Sequence, residues 1–341
     1  MELLFNTLDR RKATSITVHI NPDPDALASA LGLRHLLISE GYTRVGIFYD
    51  GLIGRAENQA MVRVLNIPLH RISNISSIKN RQFVLVDCQP DAGNVNLPEC
   101  ASPVAVIDHH PSHKGIAAIP YVDIRPDYGA CSTIIGEYIL DRQLSIPGHV
   151  ASALVYGISS ETQFLGREGS QADKKVYKEF LTTASLSLLS QIQFPKISKD
   201  FVINLSDALT RIVYYKNFIG VLLDHLPYPD FVAEMADFVL RIKNMTWSMC
   251  LGAYRQTLYV SLRTSNLKAD AARVIKKAVA GKGPSGGHNM IAGAQIDLGG
   301  KDEEDIRSLE IKILRKMLKL LNQREVSEIF RLSSDEKFSL I

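Results

Sequence analysis

The sequence predicts an α/β protein in which a mostly parallel N-terminal sheet is followed by a smaller α+β C-terminal domain. In the first half, short β-branched apolar runs alternate with helical stretches, the pattern of strands buried on both faces. That rhythm changes after about residue 190. The length of 341 residues is generous for one core and comfortable for two.

Taken in order, residues 15–20 (SITVHI) read as a strand, 21–24 as a turn and 25–40 as a helix. Residues 44–49 (RVGIFY), 83–87 (FVLVD) and 104–108 (VAVID) give three further strands. A helix starts near Ser132, and a strand-like run at 153–158 continues the domain. The pattern loosens over 187–198 around Pro195, which places domain boundaries at 1–190, 191–215 as a linker, and 216–341. In the second domain, 218–223 is a strand, 229–243 a helix, and 245–254 with 258–263 a strand pair turning at 255–257. A helix at 268–280, a glycine-rich loop at 281–287, a strand at 292–298 and a helix at 303–321 complete it, with the helices expected on one side of mixed strands.

Apolar residues make up 46% and charged residues 22% of the chain, which excludes disordered and collagen-like classes. A net charge of +3 falls short of the basic excess of proteins that wrap duplex DNA and suits a local site for a small anion. Cys88, Cys100, Cys131 and Cys250 form no CxxC pair and read as small buried hydrophobes in a reducing compartment. The early charges Glu2, Asp9, Arg10, Arg11 and Lys12 do not read as a signal peptide, and the apolar runs are too short to span a bilayer. A cytoplasmic protein with no membrane contact is expected.

The chemistry gathers where strands end, which is where open α/β sheets bind ligands. The first strand runs out in His19-Ile20-Asn21-Pro22-Asp23-Pro24-Asp25, the third in Asp87 and the fourth in Asp108-His109-His110; the run at 153–158 leads to Glu161. Right-handed crossovers put these ends on one edge. So many acids in one cleft repel one another unless cations neutralise them. The donors are oxygen with some imidazole, which suits Mn²⁺ or Mg²⁺ better than a thiolate-seeking metal. Their number fits two ions about 3.5–4 Å apart, sharing a carboxylate and an activated water. Each piece also has a plain structural reading: Asp23 and Asp25 as a turn and helix cap, Asp87 as a strand-end cap. Together the four segments favour the metal site.

These residues resemble the DHH phosphoesterase superfamily. HINPDPDA, VLVDCQP, VIDHHP and ALVYGISSETQFL follow its four motifs in order, and Gly286-Gly287-His288-Asn289 resembles the GGH motif of its associated C-terminal domain. The resemblance implies one Mn²⁺ or Mg²⁺ ion on His19, Asp23 and Asp87, and a second on Asp25, Asp87, His109 and Glu161. Asp87 would bridge, His110 would contact the scissile phosphate, and Asp108 would orient an imidazole. Gly286, Gly287, His288 and Arg263 would bind the far end of the substrate. Where the family has Asp in a TDTG-like string, this chain has Ser160-Glu161-Thr162-Gln163. Glutamate reaches one methylene further, and either ligates or points away.

The implied function is hydrolysis of short oligonucleotides, or of 3′-phosphoadenosine 5′-phosphate, by a two-metal-activated hydroxide. Short single-stranded nucleic acid or a small nucleotide would be the partner, and a homodimer is common among such proteins. Two alternatives stay open. If Glu161 points away, the chain is a nucleotide-binding regulator with attenuated turnover; with a basic, aromatic track it is a single-strand-specific exonuclease.

Overall fold

The computed structural model describes residues 2–166, 169–287, 290–321, 329–332, 334 and 337–338. It divides into two units, Met1–Lys196 and Ile197–Ile341. The first runs through α1 (Glu2–Thr7), β1 (Ala13–Thr17), α2 (Pro24–Ser39), β2 (Val45–Tyr49), α3 (Ala56–Val64), β3 (Leu69–Arg71), β4 (Arg81–Val86), β5 (Pro103–Asp108) and β6 (Tyr121–Ile124). The helices α4 (Cys131–Asp141), α5 (Gly148–Glu161), α6 (Gln171–Leu181) and α7 (Leu186–Gln193) follow.

The strands form one parallel sheet in the order β3-β2-β1-β4-β5-β6. Side chains alternate along each strand, so Val84 and Val86 enter the main core while Leu85 packs with Cys88 and Val106 on the opposite face. Both faces are therefore apolar, as the sequence runs required. The chain leaves β1 toward β2 and leaves β4 toward β5, in opposite directions across the sheet. A crevice opens at the carboxyl ends of β1 and β4, where this order reverses.

Residues 153–158 correct the sequence reading, because they belong to α5 rather than to a strand. An unbroken buried run fits an enclosed helix as well as a central strand, and periodicity alone does not separate the two. α5 is buried from Val150 to Ser159 and packs on α2. Gly157 permits that approach: a Cβ there would lie 2.5 Å from Ser132 Oγ and 2.8 Å from Ala28 Cβ. Strand ends thus supply three of the four motif segments, and a helix end supplies the fourth.

The second unit comprises α8 (Lys199–Thr210), β7 (Ile212–Tyr215), β8 (Phe218–His225), α9 (Phe231–Leu240), β9 (Trp247–Tyr254), β10 (Thr257–Thr264), α10 (Ala271–Val279), β11 (Ser285–Gly287), β12 (Ile291–Asp297), α11 (Glu303–Leu320), β13 (Ile329–Arg331) and β14 (Lys337–Phe338). The stretch 191–215, expected as a linker, carries α8 and β7. The sheet order is β11-β12-β10-β9-β8-β7-β13-β14, with β8 and β9 parallel. Its helices lie on both faces, not one. Ile219, Val221 and Leu223 of β8 pack with Phe231 and Met235 of α9, whereas Phe218 and Leu222 pack with Leu314 and Met317 of α11. Both alternating sets of β8 are apolar, and each needs its own cover.

Within α11, Glu310 is fully buried, and neither carboxylate oxygen finds a hydrogen-bond partner among the described residues. Burial, reinforced by Asp224, pushes its pKa up to about 8 from the ordinary 4.5. The folded chain therefore keeps a proton that the unfolded chain has released, and stability falls as pH rises between those values, by up to about 1.4 kcal/mol per pH unit. Replacing Glu310 with Gln removes the charged form. Unfolding in urea near pH 5 and pH 8 is expected to show little change at the lower pH and a clear gain for Glu310→Gln at the higher; equal effects at both would contradict a buried acid.

Candidate metal centre

The backbone delivers the donors. Asp23 caps α2, its Oδ1 accepting from Ala26 N at 2.9 Å, with Pro24 at the start of the helix. Asp87 follows β4 in the left-handed region, φ 58°. Aspartate tolerates that conformation better than most residues, and the turn sends its side chain into the crevice. Asp108 closes β5, and His109 and His110 follow.

Asp25 performs a second task. Its Oδ2 accepts from Cys131 N at 2.6 Å and its Oδ1 from Ser132 N at 2.8 Å, capping α4, whose own N-cap Ala130 has no side chain to do so. The capping and the metal-binding readings of Asp23 and Asp25 are therefore compatible: both cap helices, and both border the cluster.

His19 Nδ1 lies 3.0 Å from Ile20 O, and His109 Nδ1 lies 3.2 Å from Tyr128 O. A carbonyl only accepts, so each Nδ1 carries the proton and each Nε2 of the neutral ring presents a lone pair. His19 Nε2 faces Asp23 Oδ1 and Asp87 Oδ2, each at 3.7 Å. His109 Nε2 faces Asp87 Oδ1 at 3.5 Å and Asp25 Oδ2 at 3.8 Å. Asp87 Oδ1 is buried without a hydrogen-bond partner among the described residues. Lone pairs facing lone pairs, with a buried orphan oxygen among them, fit a shared divalent cation. Two groups satisfy metal-ligand spacing: His19, Asp23 and Asp87; and Asp87, Asp108, His109 and His110. Asp87 is common to both.

The titration of the cluster has the same origin. Burial, together with Asp25 and Asp23, drives Asp87 well above the ordinary carboxylate range. Burial also lowers His109, aided by the neighbouring His110, which keeps it neutral as a ligand must be. Burial opposes charge on His19 and His110, but the facing carboxylates outweigh it: Asp23 and Asp87 for the first, Asp108 and Asp87 for the second. Both are pushed up to about 10. Without a metal, protons occupy the place of the cations.

Gln89, two residues after Asp87, carried no signal that the sequence reading could use. Its Nε2 donates to Asp108 Oδ2 at 2.8 Å, His110 O at 3.3 Å and Pro111 O at 3.2 Å, and its Oε1 accepts from His113 N at 2.8 Å. The opposite oxygen, Asp108 Oδ1, accepts from His109 N at 2.7 Å, His110 N at 3.1 Å and His110 Nδ1 at 2.9 Å. Gln89 thereby fixes the aspartate that orients His110. Arg125 works similarly on the other side: it bonds Asp123, Glu137 and Tyr128 Oη, bracing the loop whose Tyr128 carbonyl fixes His109.

Glu161 ends α5 and lies outside the two tight groups, near enough to His110 to favour that ring's charge. Arg263, expected to bind the far end of the substrate, is buried, with Nε donating to Asp237 Oδ1 at 2.8 Å and Nη1 to Ser261 Oγ at 2.8 Å and Leu262 O at 3.1 Å. Gly286 and Gly287 are exposed in β11, beside β12. Gly287 has φ 140°, and a Cβ there would meet Ile291 O at 2.2 Å, so the turn requires glycine. His288 lies outside the described residues. No helix among the described residues is long and apolar enough to cross a membrane.

A doubly wound parallel sheet carries, at its switch point, carboxylate–imidazole groups that share an aspartate and could hold a divalent metal ion. The chain belongs to the DHH family, whose N-terminal domain matches residues 13–158. An uncharacterised protein of Methanocaldococcus jannaschii is 30% identical over 330 residues, 94% of this chain and 67% of that protein. A probable manganese-dependent inorganic pyrophosphatase of Enterococcus faecalis is 26% identical over 42% of this chain and 46% of its own length. A probable bifunctional oligoribonuclease and PAP phosphatase of Streptococcus mutans is likewise 26% identical, over 42% of this chain and 44% of its own. The chain thus spans about half the length of these last two relatives. In fold, it is similar to an exopolyphosphatase-related protein of Bacteroides fragilis, with a TM-score of 0.72 at 16% identity over 94% of this chain and 97% of that one.

Two outcomes are expected. An ion must displace the His19 proton, so below pH 10 affinity for Mn²⁺ rises with pH, by up to about tenfold per unit for each proton released. Calorimetric titration in buffers of different ionisation enthalpy should detect at least one released proton, and an affinity flat between about pH 6.5 and pH 8 would refute the displacement. Gln89→Glu places a second carboxylate 2.8 Å from Asp108 Oδ2; it should lower turnover about tenfold or more while Mn²⁺ still binds, and unchanged turnover would remove Gln89 from the machinery.

Proposed function

We propose that this chain hydrolyses phosphate esters of small nucleotides, either 3′-phosphoadenosine 5′-phosphate or oligonucleotides of a few residues, with two divalent ions, Mn²⁺ before Mg²⁺. The observation that carries the reading is that Asp87 faces His19 through one carboxylate oxygen and His109 through the other, so that it can be shared between two ions. His19 and Asp23 would hold one ion with Asp87; Asp25, His109 and Glu161 would hold the other. When bound, such ions supply a nucleophile at neutral pH and neutralise charge growing on a phosphoryl group. The names of the relatives support the metal and bracket the substrate: manganese for the pyrophosphatase, oligoribonucleotides and PAP for the streptococcal protein.

The chain's own residues would do the rest. His110, held through Nδ1 by Asp108, has a side chain 45% exposed and, when protonated, can donate to a phosphoryl oxygen. Gln89 and Asp108 keep its ring in place. In the second unit, the exposed Gly286 and Gly287 of β11 would contribute backbone amides to substrate binding. Arg263 contributes as a brace of β10, because its guanidinium is already engaged by Asp237 and Ser261.

The test is a panel of 3′-phosphoadenosine 5′-phosphate, pApA, a five-nucleotide RNA, a long single-stranded DNA and pyrophosphate, with Mn²⁺, Mg²⁺ or chelator. Metal-dependent release of mononucleotide from the short substrates is expected, with a fall of about a thousandfold or more in Asp87→Asn. Turnover of pyrophosphate alone, or of long DNA alone, would replace the proposed substrate. Binding of the short nucleotides without any turnover would make the chain a nucleotide-binding regulator.

A further inference from the structure

One peptide group sets the ring of His109. Its carbonyl, on Tyr128, accepts from His109 Nδ1 at 3.2 Å, and its N–H, on Gly129, donates to Asp173 Oδ2 at 2.8 Å. A peptide unit is planar, with its carbonyl and N–H on opposite sides, so holding the N–H decides where the carbonyl points. If the plane turned, both bonds would break together and Nδ1 would lose its acceptor.

Asp173 is fully buried in the first turn of α6. Its Oδ2 also accepts from Ser170 N at 2.6 Å, which completes the capping box of its own helix, and its Oδ1 accepts from the Thr133 hydroxyl in the first turn of α4. The capping box accounts for the Ser170 bond alone. The bonds to Gly129 and Thr133 reach 44 and 40 positions back along the chain. Packing gives that reach a firm base: a Cβ on Gly136 of α4 would stand 2.4 Å from Val176 Cγ1 and 2.9 Å from Phe180 Cε2 of α6, so glycine is what lets the two helices touch.

Two aspartates therefore grip the segment that leads into α4. Asp25 takes the amides of Cys131 and Ser132 and itself borders His109, whose Nε2 lies 3.8 Å from its Oδ2. Asp173 takes the Gly129 amide and reaches His109 through the peptide. With Nδ1 bound to a carbonyl, the neutral ring turns its Nε2 lone pair toward Asp87 and Asp25. Hydrogen bonds in series polarise one another, so a carboxylate on the N–H makes the carbonyl opposite a better acceptor. Metal-binding histidines are held on their second ring nitrogen by a carboxylate or a carbonyl; here a peptide stands between carboxylate and imidazole. We propose that Asp173 is a positioning residue for His109, fixing its orientation and its Nδ1–H tautomer through the Tyr128–Gly129 peptide so that Nε2 is presented to a divalent cation. The role rests on the metal-binding reading of the cluster.

The experiment records the nitrogen–proton correlation spectrum of the histidine rings in the full chain at neutral pH with chelator, the His109 signals being those absent from His109→Asn. Mn²⁺ is then titrated into the metal-stripped proteins by calorimetry. Wild type should carry the His109 proton on Nδ1. Asp173→Ala should move that ring toward the Nε2–H form and weaken one of two Mn²⁺ equivalents by about tenfold to a hundredfold. Asp173→Asn should behave as wild type, because its oxygen still accepts from Gly129 and Ser170 while its amide donates to the Thr133 hydroxyl. Ser170→Ala removes the other half of the capping box, the bond from Asp173 N to Ser170 Oγ, and leaves the Gly129 bond in place. A merely structural role would make it resemble Asp173→Ala; it should resemble wild type. Two bound ions with tautomer and affinity unmoved in Asp173→Ala would overturn the proposal and leave the metal reading standing, and a wild type protonated on Nε2 would do so even if Asp173→Ala fails to fold. A wild type protonated on Nδ1 that binds no Mn²⁺ would remove the metal reading, and the role with it.

Discussion

The first unit is organised around a carboxylate that would not survive alone where it stands. Asp87 is almost fully buried, its Oδ1 has no hydrogen-bond partner among the described residues, and Asp25 and Asp23 add their own negative field. Burying one uncompensated charge costs several kcal/mol, and a set of neighbouring acids costs more. The fold accepts this because imidazoles face each oxygen and because divalent cations can replace the protons those imidazoles hold. A left-handed turn immediately after β4 points Asp87 inward, so its backbone conformation serves the same end.

Few of the surrounding bonds separate neatly into stability and chemistry. Asp23 starts α2 and faces His19; Asp25 starts α4 and faces His109. Each helix N-terminus carries partial positive charge, and a carboxylate placed there is stabilised by about 0.3–1 kcal/mol or more. The macrodipoles of α2 and α4 thus offset part of the repulsion that the cluster would otherwise suffer. Substituting either aspartate loosens a helix as well as a ligand set, which is why Gln89 and Glu161 are the more informative positions: neither caps a helix among the described elements.

How much of this was readable in the sequence depended on how local the signal was. β1, β2, β4 and β5 announced themselves as β-branched runs, and His19, Asp23, Asp25, Asp87, Asp108, His109 and His110 as polar groups packed densely behind them. The carrier of Glu161 was misread because α5 is enclosed on all sides and shows neither helical nor strand alternation. β3, β6, β7 and β13 are short, and pairing with partners distant in sequence decides them more than composition does. Gln89 was invisible for another reason: glutamine after a strand has no chemical meaning until its four hydrogen-bond partners are in place. The contacts of Arg263 were not legible because strand position does not reveal that Asp237, on the helix before, accepts from its guanidinium.

The corrected location of Glu161 changes what the substitution of aspartate by glutamate means. At a strand end the extra methylene would simply push the carboxylate deeper into the crevice. At the last residue of α5 it meets the carbonyl end of the helix, where partial negative charge disfavours a carboxylate by a few tenths of a kcal/mol to about 1 kcal/mol. Positive charge nearby reverses that preference, and the field of Glu161 already reaches His110. A longer arm also lets the carboxylate leave the helix axis and lean toward such charge. Cations in the cluster would therefore favour the acid where the helix end disfavours it, whereas Asp23 and Asp25 are also held in place as helix caps.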